Sequence, residues 1–150
     1  MPCRVRTEYR PVLIGALWIA LLTAPGAAVA GSPRDPVATT LAHCLDDPAN
    51  ASTAGQVACE TTALKAYDRR MNAAYAGLLR RLPVAAGERL RRSQRAWLAF
   101  RDAEQAARDA LYATRHGTMY VPMEAGAATN VTRDRALQLE TCLRVMEIEP

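Results

Sequence analysis

From Thr53 to Leu82 the positions Val57, Thr61, Leu64, Asp68, Met71, Tyr75, Leu78 and Leu82 recur alternately four and three residues apart, and all but two of them are apolar. Such spacing writes one side of a long helix. Pro83 to Gly87 reads as a break, and a second long helix follows from about Glu88 to Tyr112, with Leu90, Trp97, Phe100, Ala107 and Leu111 on or beside one stripe. Two long helices joined by so short a connection fold back antiparallel. Upstream, Asp35-Pro36 offers an N-cap and a proline at the first helical position. Val37, Leu41 and Cys44 or Leu45 then give a short amphipathic helix that stops in the stretch Asp46 to Asn50. Beyond His116-Gly117 the run through Met119, Tyr120, Pro122 and Met123 shows no clear period. A third substantial helix is expected from Asn130 or Thr132 to about Glu147, its apolar side being Ala136, Leu139, Leu143 and Met146. Almost no run alternates as a strand would, so the fold class is all-α: an antiparallel long-helix hairpin with additional shorter helices in a small bundle.

The N-terminal segment has a different character. Arg4, Arg6 and Arg10 precede an uninterrupted apolar run from Val12 to Ala24, and small residues then lead to Ala28-Val29-Ala30. A basic start, a short apolar centre and an A-x-A site are the three parts of a secretory signal. Thirteen apolar residues fall short of the roughly 20 that span a bilayer. Cleavage after Ala30 is therefore expected, with residues 1–30 as signal peptide, residues 31–150 as one helical domain, and no stable membrane insertion after processing. A periplasmic or secreted location follows.

Removing the signal changes the charge. The full chain has 19 basic and 15 acidic residues and a net charge of +4, whereas the processed chain keeps 16 and 14. A net of about +2, with both signs alternating along helices, describes a solvated surface rather than a nucleic-acid footprint. Cys3 leaves with the signal, so Cys44, Cys59 and Cys142 remain in a compartment where disulfides persist. One bridge and one spare thiol are expected. Of three pairings, Cys44 with Cys59 is favoured, because the separation is short and both lie near expected helix ends.

Asp68 interrupts an apolar stripe, which raises the question of what it faces. If the hairpin turns midway between Leu82 and Gly87, then to within about one helical turn Asp68 lies opposite Arg101, Tyr75 opposite Gln94, and Met71 near Trp97 and Leu98. A partly buried Asp68–Arg101 ion pair is expected on that register, with Asn72, Tyr75, Gln94 and Asp102 extending its hydrogen bonds. Trp97 is expected in the core, and the pair is expected to serve as an architectural lock.

These residues also carry a resemblance. The segments Tyr67-Asp68-Arg69-Arg70-Met71-Asn72-Ala73-Ala74-Tyr75, preceded by Cys59, and Ser93-Gln94-Arg95-Ala96-Trp97-Leu98-Ala99-Phe100-Arg101-Asp102 resemble the bacterial envelope family named after the LprI-type lysozyme inhibitor. Thr132-Arg133 fits a later arginine-bearing helix of that family. Met71 stands where the family usually has leucine, and Gln105 and Ala127 stand where it often has a second cysteine pair. The resemblance implies a protein partner, lysozyme, and inhibition by covering the enzyme's cleft rather than by chemistry of this chain.

Two other classes compete. A non-catalytic scaffolding protein of the cell envelope would dock another protein through the same hairpin. A soft-metal protein would use His116, Met119 and Met123, whose imidazole and thioether groups suit Cu(I); methionines in an apolar stretch more commonly fill gaps. No other cofactor is implied. An enzyme is disfavoured, since the carboxylates sit beside arginines and no nucleophile motif or phosphate loop is present.

Overall fold

A computed structural model describes residues 35–148; the expected signal peptide and its cleavage site lie outside the described residues. Asp35 opens helix α1 (Pro36–Asp46) by accepting a hydrogen bond from the Val37 amide at 3.0 Å. A single 3-10 turn at Pro48–Asn50 leads to Ser52, whose hydroxyl caps α2 (Thr53–Arg81) through the Gly55 amide. Helices α3 (Val84–Ala113) and α4 (Tyr120–Val145) complete an all-α bundle, with no strand among the described residues. None of these helices is long and apolar enough to cross a membrane.

Two boundaries depart from expectation. Helix α3 begins at Val84, one turn before Glu88, because Pro83 occupies the cap position and its carbonyl accepts the first helical bond, from the Gly87 amide at 2.9 Å. A proline there forfeits no helical hydrogen bond. Helix α4 begins at Tyr120 rather than near Asn130, absorbing the stretch without a clear period. Pro122 lies in its first turn, where an amide would have no partner anyway.

The buried side of α2 is Cys59, Ala63, Tyr67, Met71, Ala74 and Leu78. This stripe shares Met71 and Leu78 with the expected one but is rotated toward small residues. Thr61 is exposed, and Leu64, Asp68 and Tyr75 are half-buried. Helix α4 supplies Thr129, Thr132, Ala136 and Leu139, and lies parallel to α2: Glu60 pairs with Thr129, Arg70 with Glu140 and Arg81 with Glu147. Close approach is possible because small side chains meet along the seam. At Gly77 a β-carbon would stand 3.1 Å from the Leu143 side chain. The main packing partner of α2 is thus α4, whereas α3 meets α2 over a short stretch beside the turn.

Helix α1 is fastened to this seam twice. The Cys44–Cys59 disulfide joins it to α2, with a Cα separation of 5.8 Å, and Cys142 is a free, exposed thiol. A bridge between cysteines 15 residues apart in the chain contributes about 3 kcal/mol on the loop-entropy model. The second fastening is ionic. Arg70 donates to Asp35 at 2.6 Å and, through two nitrogens at 2.7 Å, to both oxygens of Glu140, while the Tyr67 hydroxyl donates to Asp35 at 3.1 Å. Burial alone would raise the Asp35 carboxyl, but the bonds from Arg70, Val37 and Tyr67 outweigh it and hold the group below its usual range. Burial and then the bond to Asp35 push the Tyr67 phenol up to about 12. Sequence reasoning found Asp35 as a cap and missed its link to Arg70 and Glu140, which lies in no local pattern.

Candidate functional site

Helix α3 leaves α2 at the Pro83 turn with the two chains antiparallel. Gly87 lies against Leu79, and Gln94 meets Met71, its amide donating to the thioether at 3.7 Å. Facing residues are therefore offset by one turn from the expected register: Gln94 faces Met71, not Tyr75. The cause is the early start of α3, since a tighter turn shifts every later pair.

The expected Asp68–Arg101 ion pair is a casualty of that offset. Asp68 accepts from Asn72 on its own helix at 3.0 Å, and Arg101 pairs with its neighbour Asp102 at 2.8 Å. The two side chains instead stand on opposite walls of an open cleft. This cleft, about 510 Å³, runs between α2, α3 and α4, with Lys65, Asp68 and Arg69 on one side, Arg101, Asp102 and Arg108 on the other, and Thr132 on α4. A smaller depression of about 330 Å³ shares Asp68 and Arg101 and adds Asn72, Tyr75 and Gln94. The structure thus gathers the residues singled out from the sequence onto one surface, as cleft walls rather than a buried lock.

The larger cleft carries an excess of positive charge. Four cationic side chains, Lys65, Arg69, Arg101 and Arg108, face two carboxylates, Asp68 and Asp102. Arg108 holds Gln105 at 3.1 Å and Glu104 only at 3.6 Å, leaving its buried Nε without a partner. Trp97 is half-buried rather than fully in the core. It packs against the core's edge, with the guanidinium groups of Arg101 and Arg135 over its ring at 5.5 and 5.9 Å.

Arg135 is the residue that sequence reasoning missed. It is buried, and neutral acceptors hold it: Gln94 at 3.0 Å, Gln138 at 2.7 Å and Ser93 at 3.3 Å. Burial lowers its pKa, since no carboxylate compensates the lost hydration. Through Gln94 it joins α4 to α3 and, by way of Met71, to α2. The neighbouring Arg133, which the resemblance matched, pairs with Asp134 at the surface. A helical count from Ala136 would have placed Arg135 beside the buried stripe, the one available signal.

Toward the open end of the bundle, a hydrogen bond with Asp109 of α3 raises the Glu124 carboxyl of α4 above its ordinary range. The weak metal candidates do not converge in a buried site. His116 lies in the connection before α4, Met119 precedes the helix and Met123 is in its first turns, and all three are exposed. Among the described residues, no group of three or more His, Cys, Asp or Glu side chains is arranged to hold a metal ion.

Residues 44–139 match the family model described as lysozyme inhibitor LprI, a span that includes both walls of the cleft and the disulfide. No curated protein matches the chain. A crystal structure of an uncharacterised protein from Burkholderia thailandensis is similar at 34% identity and a TM-score of 0.72, over 77% of this chain. This chain corresponds to 57% of that one, little more than half its length. The family match covers well over half of the residues, including both motif-bearing helices and most of α4: the chain belongs to the LprI lysozyme-inhibitor family.

Proposed function

We propose that the chain is a secreted or periplasmic binding protein that inhibits lysozyme by occluding the enzyme's substrate cleft. The observation that carries this reading is the family match over residues 44–139, which takes in the cleft. Location outside the cytoplasm is supported by the Cys44–Cys59 disulfide, a bond that persists in oxidising compartments. Inhibition of this kind asks for a preformed surface rather than catalytic groups. A bundle tied by a disulfide and by the Asp35–Arg70–Glu140 network holds its surface in place without the entropic cost of ordering loops on binding.

Charge supports the same reading locally. Glycosidases of the lysozyme type work with two carboxyl groups flanking the scissile bond. A rim bearing Lys65, Arg69, Arg101 and Arg108 offers cations to such a cleft, whatever the net charges of the two proteins. The test is inhibition by the oxidised, exported chain of chicken-type, goose-type and invertebrate-type lysozymes. Turnover of at least one type should fall in proportion to added chain. Unchanged turnover of all three at large molar excess would refute the proposal.

A further inference from the structure

The two ends of the bundle carry opposite charge. Helices α2 and α4 both finish beside the α2–α3 turn, where the Arg81–Glu147 bridge at 3.0 Å ties the last turn of α2 to the end of α4. Among the described residues this end holds Arg80, Arg81, Arg89, Arg91, Arg92 and Arg144 against Glu88 and Glu147. Both glutamates are already paired, with Arg91 and Arg81, so Arg80, Arg89, Arg92 and Arg144 stand exposed without a carboxylate partner among the described residues. At the opposite end Asp46, Asp47, Glu60, Asp109 and Glu124 outnumber Arg108 and Arg115. A molecule charged in this way turns its arginine-bearing end toward an anionic surface before contact is made.

Apolar side chains are exposed at the same end. Val84 opens α3 at the apex of the turn and is 83% exposed. Val145 ends α4, and Met146 and Ile148 follow it, Ile148 being 73% exposed. None of the four packs against the core, so the bundle does not need them for its own stability.

We propose that this end of the bundle docks peripherally on an anionic phospholipid bilayer, with Val84 and Ile148 entering the headgroup layer and Arg80, Arg89, Arg92 and Arg144 meeting lipid phosphates. Arginine suits that role, because its planar fork bonds phosphate oxygens at two points and its stem tolerates an apolar boundary. Aliphatic and basic side chains exposed together match an interface of acyl chains and anionic headgroups. An acidic wall polymer would satisfy the arginines and leave the aliphatic side chains in water, and an uncharged bilayer would do the reverse. The contact is a surface one, since no helix among the described residues is long and apolar enough to span a bilayer. On α2 the cationic cleft begins at Arg69, about three turns from Arg80, so a chain docked by its tip keeps that cleft open. The assignment stands independently of the lysozyme reading.

The experiment is cosedimentation of the exported, oxidised chain with vesicles of equal parts phosphatidylglycerol and phosphatidylcholine, compared with vesicles of phosphatidylcholine alone. The chain should sediment with the first and stay in solution with the second, and added salt should release it. Arg89→Ala should lower the partition coefficient about fivefold, the contribution of one arginine near such a surface. Val84→Asp should lower it about tenfold, by losing an apolar contact and adding a repelled charge. Both variants should melt as the wild type does, since each site is exposed and an aspartate in the first turn of α3 complements the helix dipole. No sedimentation with the anionic vesicles at low salt overturns the proposal. Wild-type partition of Val84→Asp also overturns it, because the contact would then be charge alone, as an acidic polymer or protein surface supplies. Equal sedimentation with both kinds of vesicle removes the arginines from the contact and overturns it likewise.

Discussion

Helix α2 has two long neighbours and treats them differently. Against α4 it presents Ala63, Ala74 and Gly77, and the two helices pack closely enough to bury Tyr67, Met71 and Leu78. Against α3, its immediate neighbour in sequence, it presents Leu64, Lys65, Asp68 and Arg69 across an open cleft. A short connection sets the direction in which a chain returns, whereas side-chain size sets how close it comes. The tight seam supplies the stability, and the loose one supplies the surface on which the family's motif residues stand.

Truncating an aromatic on each side of α2 tests this contrast most severely. Tyr67 is 1% exposed within the α2–α4 seam, so Tyr67→Ala should cost about 3–5 kcal/mol. Tyr75 is half-buried and lines the smaller depression, so Tyr75→Ala should cost roughly half as much. Denaturant unfolding of the oxidised protein reads both values. Equal losses would show that the two seams bear load alike.

The next effect belongs to the ionic fastening of α1. Asp35→Ala removes both the cap of α1 and the partner of Arg70, and should cost about 1–2 kcal/mol. Its pH dependence has a definite sign. Because the folded carboxyl is held below its ordinary value, the stability that it contributes is complete above about pH 4 and is lost as pH falls through the folded pKa. Tyr67 acts at the opposite end. The unfolded phenol releases its proton near 10 while the folded one holds it to about 12, so stability is lost as pH rises through that interval. Urea midpoints collected from pH 2 to 12 should therefore fall at both extremes, and Asp35→Asn, which can still cap the helix, should flatten the acid limb. An acid limb unchanged in Asp35→Asn would remove this carboxylate from the account.

Helix existence was legible in the sequence because each segment has a strong local signature. Asp35-Pro36 starts α1 where its side chain demands, and the cysteine pairing follows from a short separation between helix ends. What stayed hidden depends on distance between elements. Large apolar residues at Leu64 and Tyr75 drew the stripe toward the cleft, while the alanines that make the real seam carry little hydrophobic weight. Pro83 and Pro122 read as interruptions, yet each falls where a helix can begin without an amide. The first of these errors moved the α2–α3 register by a turn and with it the partner of Asp68. The motif residues themselves were correctly placed on one surface. Arg135 and the Arg70–Glu140 pair join residues distant in the chain, and no local pattern announces them.

The smallest expected effect is also the most direct measure of how open the α2–α3 side is. A double-mutant cycle on Asp68→Ala and Arg101→Ala should give a coupling energy within about 0.5 kcal/mol of zero for folding, since each side chain already has a partner on its own helix. A buried pair bridging the helices would give several times that coupling, because removing one member strands the other charge. The same cycle read out as lysozyme affinity separates wall from lock. Arg101→Ala should weaken binding by removing a cation from the cleft rim and its contact with Trp97, while leaving the unfolding midpoint nearly unchanged. Strong coupling in stability would mean that the cleft closes in solution, and the surface assigned to the partner would then be interior to the protein.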